Sequence, residues 1–252
     1  MSARGHAFGI DIGGSGVKGA AVDLATGELL HERIKIATPY PSTPHAVADA
    51  VSKLVAEADW SGPVGITLPS VVLEGVARTA ANIDKTWIGT DTRTLFSAAL
   101  GGRSVTVLND ADAAGLAEDR YGAARDFDGL VLLLTFGTGI GSALLYNGTL
   151  VPNTELGHLE VGGMETEHRA AASIKDRNGL SYEQWAAEVS TVLIGLENLF
   201  WPKVIVAGGG ISRDSDRWIP LLTNRTPVVP ARLRNTAGIV GAAMAIASGV
   251  VP

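Results

Sequence analysis

The chain has 252 residues, 46% of them apolar, enough to bury a full core as one large domain or as two lobes. Its net charge of −6 and pI near 5.4 argue against an extended nucleic-acid or membrane surface, which requires a basic stripe. The lack of any cysteine excludes disulfides, thiol catalysis and cysteine-ligated metal sites.

Residues Met1 to His6 run into an apolar stretch broken by Asp11 and Gly13, so no signal-peptide core forms and a cytoplasmic protein is expected. From Ala7 to Ile36, apolar stretches alternate with glycine turns at Gly13-Gly14 and Thr26-Gly27, the pattern of three consecutive antiparallel strands. Pro39, Pro41 and Pro44 mark a loop. Val47, Val51, Leu54 and Val55 recur at helical spacing, and Ser61-Gly62-Pro63 leads into a strand over Val64–Leu68. A buried strand over Val105–Leu108 and an alanine-rich helix from about Ala111 to Arg120 give an α/β pattern, with Asp110 at the carboxyl end of the strand. Ser181 with Gln184 forms a capping box opening an amphipathic helix to about Phe200. A strand over Val204–Ala207 then ends in Gly208-Gly209-Gly210, ahead of a helix capped by Ser212. The weakly polar run from Gly238 to Val251 is shorter than the ~20 residues that span a bilayer and reads as a buried helix.

Residues 130–150, LVLLLTFGTGIGSALLYNGTL, repeat the grammar of residues 8–30, FGIDIGGSGVKGAAVDLATGELL: strand, glycine turn, strand, second turn. Duplication predicts two lobes. The boundaries are set at 1–108 plus 236–252 for a small lobe carrying the first hairpin, and 109–235 for a large lobe carrying the second.

Asp11, Gly13, Gly14 and Ser15 place a carboxylate beside a hairpin whose backbone N–H groups can face an anion. A carboxylate beside phosphates suggests Mg2+ held mainly through water; a plain β-turn with a solvated Asp is the alternative. Thr135, Gly137, Thr138 and Gly139 form the second such loop, and two hairpins in register can clamp a polyphosphate. Gly14-Ser-Gly-Val-Lys-Gly19 also matches the dinucleotide pattern, but Val22-Asp23 and the Thr26-Gly27 turn interrupt the helix that a nicotinamide oxidoreductase would need. Lys18 is not a Walker lysine, yet it could reach a phosphate. Asp110 is either a helix N-cap or the base that takes a proton from a sugar hydroxyl, with Asn109 holding a neighbouring hydroxyl. Glu155, His158 and Glu160 crowd three polar side chains beside a turn, as polyhydroxyl recognition requires; a metal is the competing use, without an obvious third ligand. Gly208, Gly209 and Gly210 either admit an adenine or ribose or make a tight turn.

Taken together, IDIGGSGVKG at 10–19, RTAANIDKTWIGT at 78–90, LNDADAAGLAE at 108–118, LLTFGTGIGSAL at 133–144 and PNTELGHLEVGG at 152–163 resemble the ROK (repressor, ORF, kinase) sugar kinases. The match lies with their polyphosphate glucokinase and glucomannokinase branch. The resemblance implies an actin-like ATPase (ribonuclease H-like) α/β fold with two lobes around a cleft that closes on substrate. It also implies Asp110 as catalytic base, Asn82, Asn109, Glu155 and His158 around the hexose, ATP or polyphosphate as donor, and a homodimer. Most ROK proteins follow the Glu-x-Gly-His segment with a zinc-binding cysteine cluster and a further sugar-contacting Glu. Here no cysteine exists, so zinc is expected to be absent and Glu160 is the candidate substitute. ROK repressors carry a helix-turn-helix ahead of the first loop, and no room for one precedes Ala7. The alternatives are an ATP-only glucokinase and a sugar sensor without turnover. A polyphosphate chain would need a local basic path, with Lys18, Arg78, Lys85 and Arg93 as candidates.

Overall fold

The computed structural model describes residues 5–81 and 83–249. The chain divides into two compact units, Met1–Ala117 with Thr236–Pro252, and Glu118–Asn235. The break falls further along than the 108/109 boundary read from the sequence, so Asn109 and Asp110 lie in the first unit.

In that unit β1 (His6–Gly13) and β2 (Gly16–Asp23) make a hairpin, and β3 (Ile34–Ile36) pairs antiparallel with β2. Helix α1 (Pro44–Glu57) begins at Pro44 instead of after it, because proline presets the helical φ where its missing N–H has no intrahelical acceptor. Val47, Val51, Leu54 and Val55 form its buried face. Then come β4 (Val64–Leu68), a small hairpin of β5 (Val72–Leu73) and β6 (Val76–Ala77), helix α2 (Thr92–Ala99) capped by Asp91, and β7 (Val105–Asn109). Helix α3 (Asp110–Arg120) runs across the unit boundary. Strands β1, β4 and β7 are parallel, and the sheet order is β3-β2-β1-β4-β7.

The second unit repeats this plan. Strands β8 (Leu130–Phe136), β9 (Ile140–Tyr146) and β10 (Thr149–Val151) form an antiparallel meander. A minor hairpin of β11 (Glu160–Val161) and β12 (Met164–Glu165) leads to helices α4 (Thr166–Ala170), α5 (Ala172–Arg177) and α6 (Tyr182–Phe200). The Ser181–Gln184 capping box opens α6 as the sequence predicts. Strand β13 (Val204–Gly208), helix α7 (Ser215–Trp218) and β14 (Val228–Pro230) complete the unit, with sheet order β10-β9-β8-β13-β14. Both sheets therefore place three antiparallel strands beside two parallel ones in the same order, which is the duplication seen in the sequence. Ser212 caps no α-helix: it lies buried in a 3-10 turn over Gly210–Asp214 and donates its hydroxyl to the Gly209 carbonyl at 2.8 Å.

Helix α8 (Ala237–Ser248) returns to the first unit and lies on β1 and β4. Contact is backbone to backbone: a Cβ on Gly9 would overlap the Ile239 carbonyl, and one on Gly65 the Ala242 carbonyl. The second unit's core centres on Phe136, Trp185 and Trp218, packed edge to face with centroids 4.9–5.8 Å apart. No helix among the described residues is long and apolar enough to cross a membrane.

Candidate active site

In the first unit, the β1–β2 turn brings Gly13 opposite Gly16, and the Thr38 hydroxyl tethers it by donating to the Gly13 carbonyl at 2.5 Å. Register puts Lys18, Asp11 and Thr67 in one transverse row across β2, β1 and β4. Asp11 is gripped from both sides: Lys18 Nζ lies 3.3 Å from Oδ2, and Thr67 Oγ1 donates to Oδ1 at 3.0 Å. Thr67 is fully buried and its oxygen also accepts from the Ile12 N–H at 3.3 Å, so it fixes the carboxylate relative to the hairpin. The sequence reading missed it, though a hydroxyl in the otherwise apolar run VGITL was the available signal. Gly238, in the first turn of α8, faces the same carboxylate; a Cβ there would sit 3.0 Å from Oδ1.

At the β7–α3 junction the capping role falls to Asn109, not Asp110. Asn109 Oδ1 accepts from the Ala111 and Asp112 N–H groups at 2.8 and 3.2 Å, and Nδ2 donates to the Ser70 carbonyl at 3.3 Å. Asp110 is half-buried and accepts from the Ala111 N–H at 2.9 Å. Asn82 lies outside the described residues. A cavity of about 410 Å³ opens beside the hairpin, lined among others by Gly13, Gly14, Tyr40, Asp84 and Trp87. A larger one of about 810 Å³, between α2 and the edge of β7, shares no residue with the hairpin.

In the second unit the β8–β9 turn carries Gly137, Thr138 and Gly139. Ser173 of α5 braces it, its N–H donating to the Gly137 carbonyl at 3.0 Å and its hydroxyl to the Thr138 carbonyl at 2.7 Å. Thr135 lies on β8 between Gly141 and Gly208. Gly209 has a φ of 84° and presses against the end of β8, where a Cβ would overlap the Phe136 carbonyl; that contact favours the tight-turn reading for this glycine. A Cβ on Gly210 would meet nothing within 4 Å.

Glu155 and His158 flank a single 3-10 turn, Leu156–His158. Gly157 is required there, since a Cβ would overlap the Ile140 carbonyl. The chain then reverses at Gly162-Gly163, whose φ values of 63° and 78° suit the left-handed turn of a tight hairpin. This reversal returns Glu165 and Glu167 to His158: Nδ1 lies 3.2 Å from Glu165 Oε2 and 3.8 Å from Glu167 Oε1, while Nε2 lies 3.9 Å from Glu155 Oε2. The buried Thr166 hydroxyl, within 2.7 Å of the Leu156 and Gly157 carbonyls, anchors the segment. Glu160 does not join the group; it is exposed on β11, across the ladder from Glu165. Glu167 instead comes beside His158, and it also faces the second hairpin, with Ile140 N–H 3.4 Å from its Oε2. The Glu165 hydrogen bond raises the His158 pKa above its ordinary value against the opposing effect of burial, with Glu167 and Glu155 adding to the rise. Burial pushes the Glu155 carboxyl up, partly offset by His158. His158, Glu165 and Glu167 offer ligand atoms within 4.8 Å of one another, the one such metal-competent group among the described residues.

Residues 7–171 match the sequence profile described as the ROK family. The chain belongs to the ROK family. It is 63% identical over 240 residues to the polyphosphate glucokinase of Mycobacterium tuberculosis, covering 95% of this chain and 91% of that protein. Among ROK and related structures, the inorganic polyphosphate/ATP-glucomannokinase of Arthrobacter sp. strain KM matches with a TM-score of 0.92 at 49% identity, over 98% of this chain and 100% of that one. A ROK glucokinase from Streptomyces griseus, solved with glucose and AMPPNP, matches with a TM-score of 0.80 at 26% identity, over 97% and 100% of the two chains. The ROK chain described here thus has the actin-like ATPase fold, whose repeated five-stranded sheets are those traced above.

Proposed function

We propose that the protein is a hexose kinase transferring a phosphoryl group from inorganic polyphosphate or ATP to the 6-hydroxyl of glucose, with mannose as a second acceptor. The observation that carries this reading is the 63% identity to a polyphosphate glucokinase along nearly the whole chain. The site residues give it a mechanism. Asn109, Asp110, Glu155, His158 and Glu167 bind the hexose, together with Asn82. Hydrogen bonding by Glu165 presents His158 with a fixed ring orientation, a job that needs no zinc. The glycine hairpins at Gly13–Gly14 and Gly137–Gly139 position donor phosphates, with Ser15, Lys18, Thr135 and Thr138 beside them and the Gly208–Gly210 turn serving the nucleotide when ATP is used.

Asp110 accepts the proton of the 6-hydroxyl as O6 attacks the terminal phosphorus. The anhydride P–O bond breaks, ADP or a polyphosphate one unit shorter departs, and the proton passes to solvent. Asp11 suits a hydrated Mg2+: each carboxylate oxygen offers two acceptor positions, and Thr67 and Lys18 engage one on each. Such an ion supplies charge neutralisation on the donor oxygens. A homodimer, as the family resemblance implies, in the cytoplasm and with no nucleic-acid or membrane partner, as the acidic composition favours, completes the reading.

Incubating the purified protein with Mg2+, glucose and nucleotide-free polyphosphate should yield glucose 6-phosphate in a coupled assay, both before and after zinc is stripped. No product alongside normal ATP-driven turnover would make it an ATP-only kinase. Hexose binding without product from either donor would make it a sensor.

A further inference from the structure

We propose that Lys35 and Lys18 are paired ammonium anchors for the phosphate chain of the donor, holding the part beyond the transferred group as it leaves the first hairpin across β2 toward the open edge at β3. The inference deepens the polyphosphate reading and rests on it.

The row Lys18–Asp11–Thr67 continues outward, because register sets Lys35 of β3 directly opposite Lys18. Strand β3 is the outermost strand of its sheet, and Lys35 is exposed there. Two lysines directly opposite each other repel and weaken a sheet, so folding stability alone disfavours the pairing. Asp11 neutralises Lys18, and among the described residues Lys35 has no ion-pair partner. A lysine on an edge strand also discourages strand–strand association, yet that role requires neither a second lysine opposite nor room made for both stems.

Room is made for both, by the two glycines that face each other at the hairpin. Lys18 Nζ lies 3.8 Å from where a Gly13 Cβ would be. The Lys35 stem crosses Gly16, where a Cβ would sit 2.6 Å from Cε and 3.3 Å from Cγ. Two lysine side chains on neighbouring strands, one strand spacing (~4.8 Å) apart at the backbone, therefore reach the turn whose N–H groups face phosphate in the proposed mechanism. The ligand that this arrangement fits is a linear polyanion. ATP has three phosphates before its nucleoside, so contacts further along the chain favour the polymer. Of the other cations suggested by the sequence, Lys85 is engaged elsewhere, donating to the Ala80 carbonyl at 2.5 Å.

The test is titration calorimetry of size-fractionated polyphosphate into the full-length protein without hexose, across a salt series, with KM measured for polyphosphate, ATP and glucose. Lys35→Ala should weaken polyphosphate binding about fivefold, and Lys35→Glu more, as expected for one exposed charge contact. Loss of one phosphate contact should also flatten the slope of log K against log salt by about 0.7. The rise in KM should be larger for polyphosphate than for ATP, with glucose KM unmoved. Wild-type turnover of polyphosphate, with affinity and salt slope unchanged in Lys35→Glu, removes the anchor and leaves the donor reading standing. An equal loss for ATP and polyphosphate, or a glucose KM that rises in step, also overturns it. Polyphosphate that binds the wild type through Lys35 but is not turned over keeps the anchor and removes the donor reading; no binding to the wild type removes both.

Discussion

In the proposed mechanism Asp110 takes a proton and Glu165 only orients His158, and substitution separates the two roles. Asp110→Asn keeps a hydrogen-bonding side chain but removes the proton acceptor, so turnover should fall by about 10² or more while hexose affinity, read by calorimetry, stays within a few-fold. Near-normal turnover would take the base role from Asp110. Glu165 touches no reacting atom in the proposed mechanism; it orients His158. Glu165→Gln should lower the imidazole midpoint toward the ordinary value of about 6.5, followed by NMR titration of the ring, because the hydrogen bond to Glu165 is the largest cause of its rise. A raised histidine pKa means that folding favours the charged ring. That contribution is fully present below the unfolded-state value and is lost as pH rises through the folded one, so the variant should lose stability on the acid side of that window and match the parent above it. Burial-raised Glu155 moves stability in the same direction with pH but for a different reason, since its ionisation opposes the fold as pH rises. A purely space-filling Glu165 would leave the His158 midpoint in place.

Among elements, the end of α3 has a structural task that the motif LNDADAAGLAE conceals. Glu118 is almost fully buried and accepts from the N–H groups of Ala123, Arg232 and Leu233 at 2.7, 3.1 and 2.7 Å, tying together segments that open and close the second unit. Glu118→Ala orphans one buried and two part-buried donors and should cost about 3 kcal/mol, measured by the denaturant midpoint, with glucose KM in the surviving folded fraction unchanged. A loss of hexose affinity without loss of stability would assign it to the sugar site instead. Much at this scale could be read from the chain, because Val64–Leu68, the alanine-rich α3 and the Ser181–Gln184 capping box are local patterns with local causes. What could not be read depends on register. Glu160 is the carboxylate the sequence singles out, and only the reversal at Gly162-Gly163 turns it outward and brings Glu167 back to His158. Lys35 belongs to no motif, and only strand pairing sets it against Lys18. Pro44 was read as a loop residue since a proline that starts a helix and one that prevents it look alike in sequence.

At the scale of the whole molecule, duplication was legible because glycine hairpins keep their spelling, whereas the unit boundary was not, since α3 runs through it without any change of composition. The two units differ in how they are threaded. Glu118–Asn235 is continuous, while the first unit needs residues from both ends of the chain. Gly9 and Gly65 leave bare backbone on β1 and β4 for α8 to cover, and α8 is the last helix among the described residues. During synthesis at roughly 5–20 residues per second, everything the second unit requires has been made before the helix that roofs β1 and β4 exists. The first hairpin, with Asp11 awaiting Gly238, therefore reaches its finished shape only after the whole of the second unit has been made.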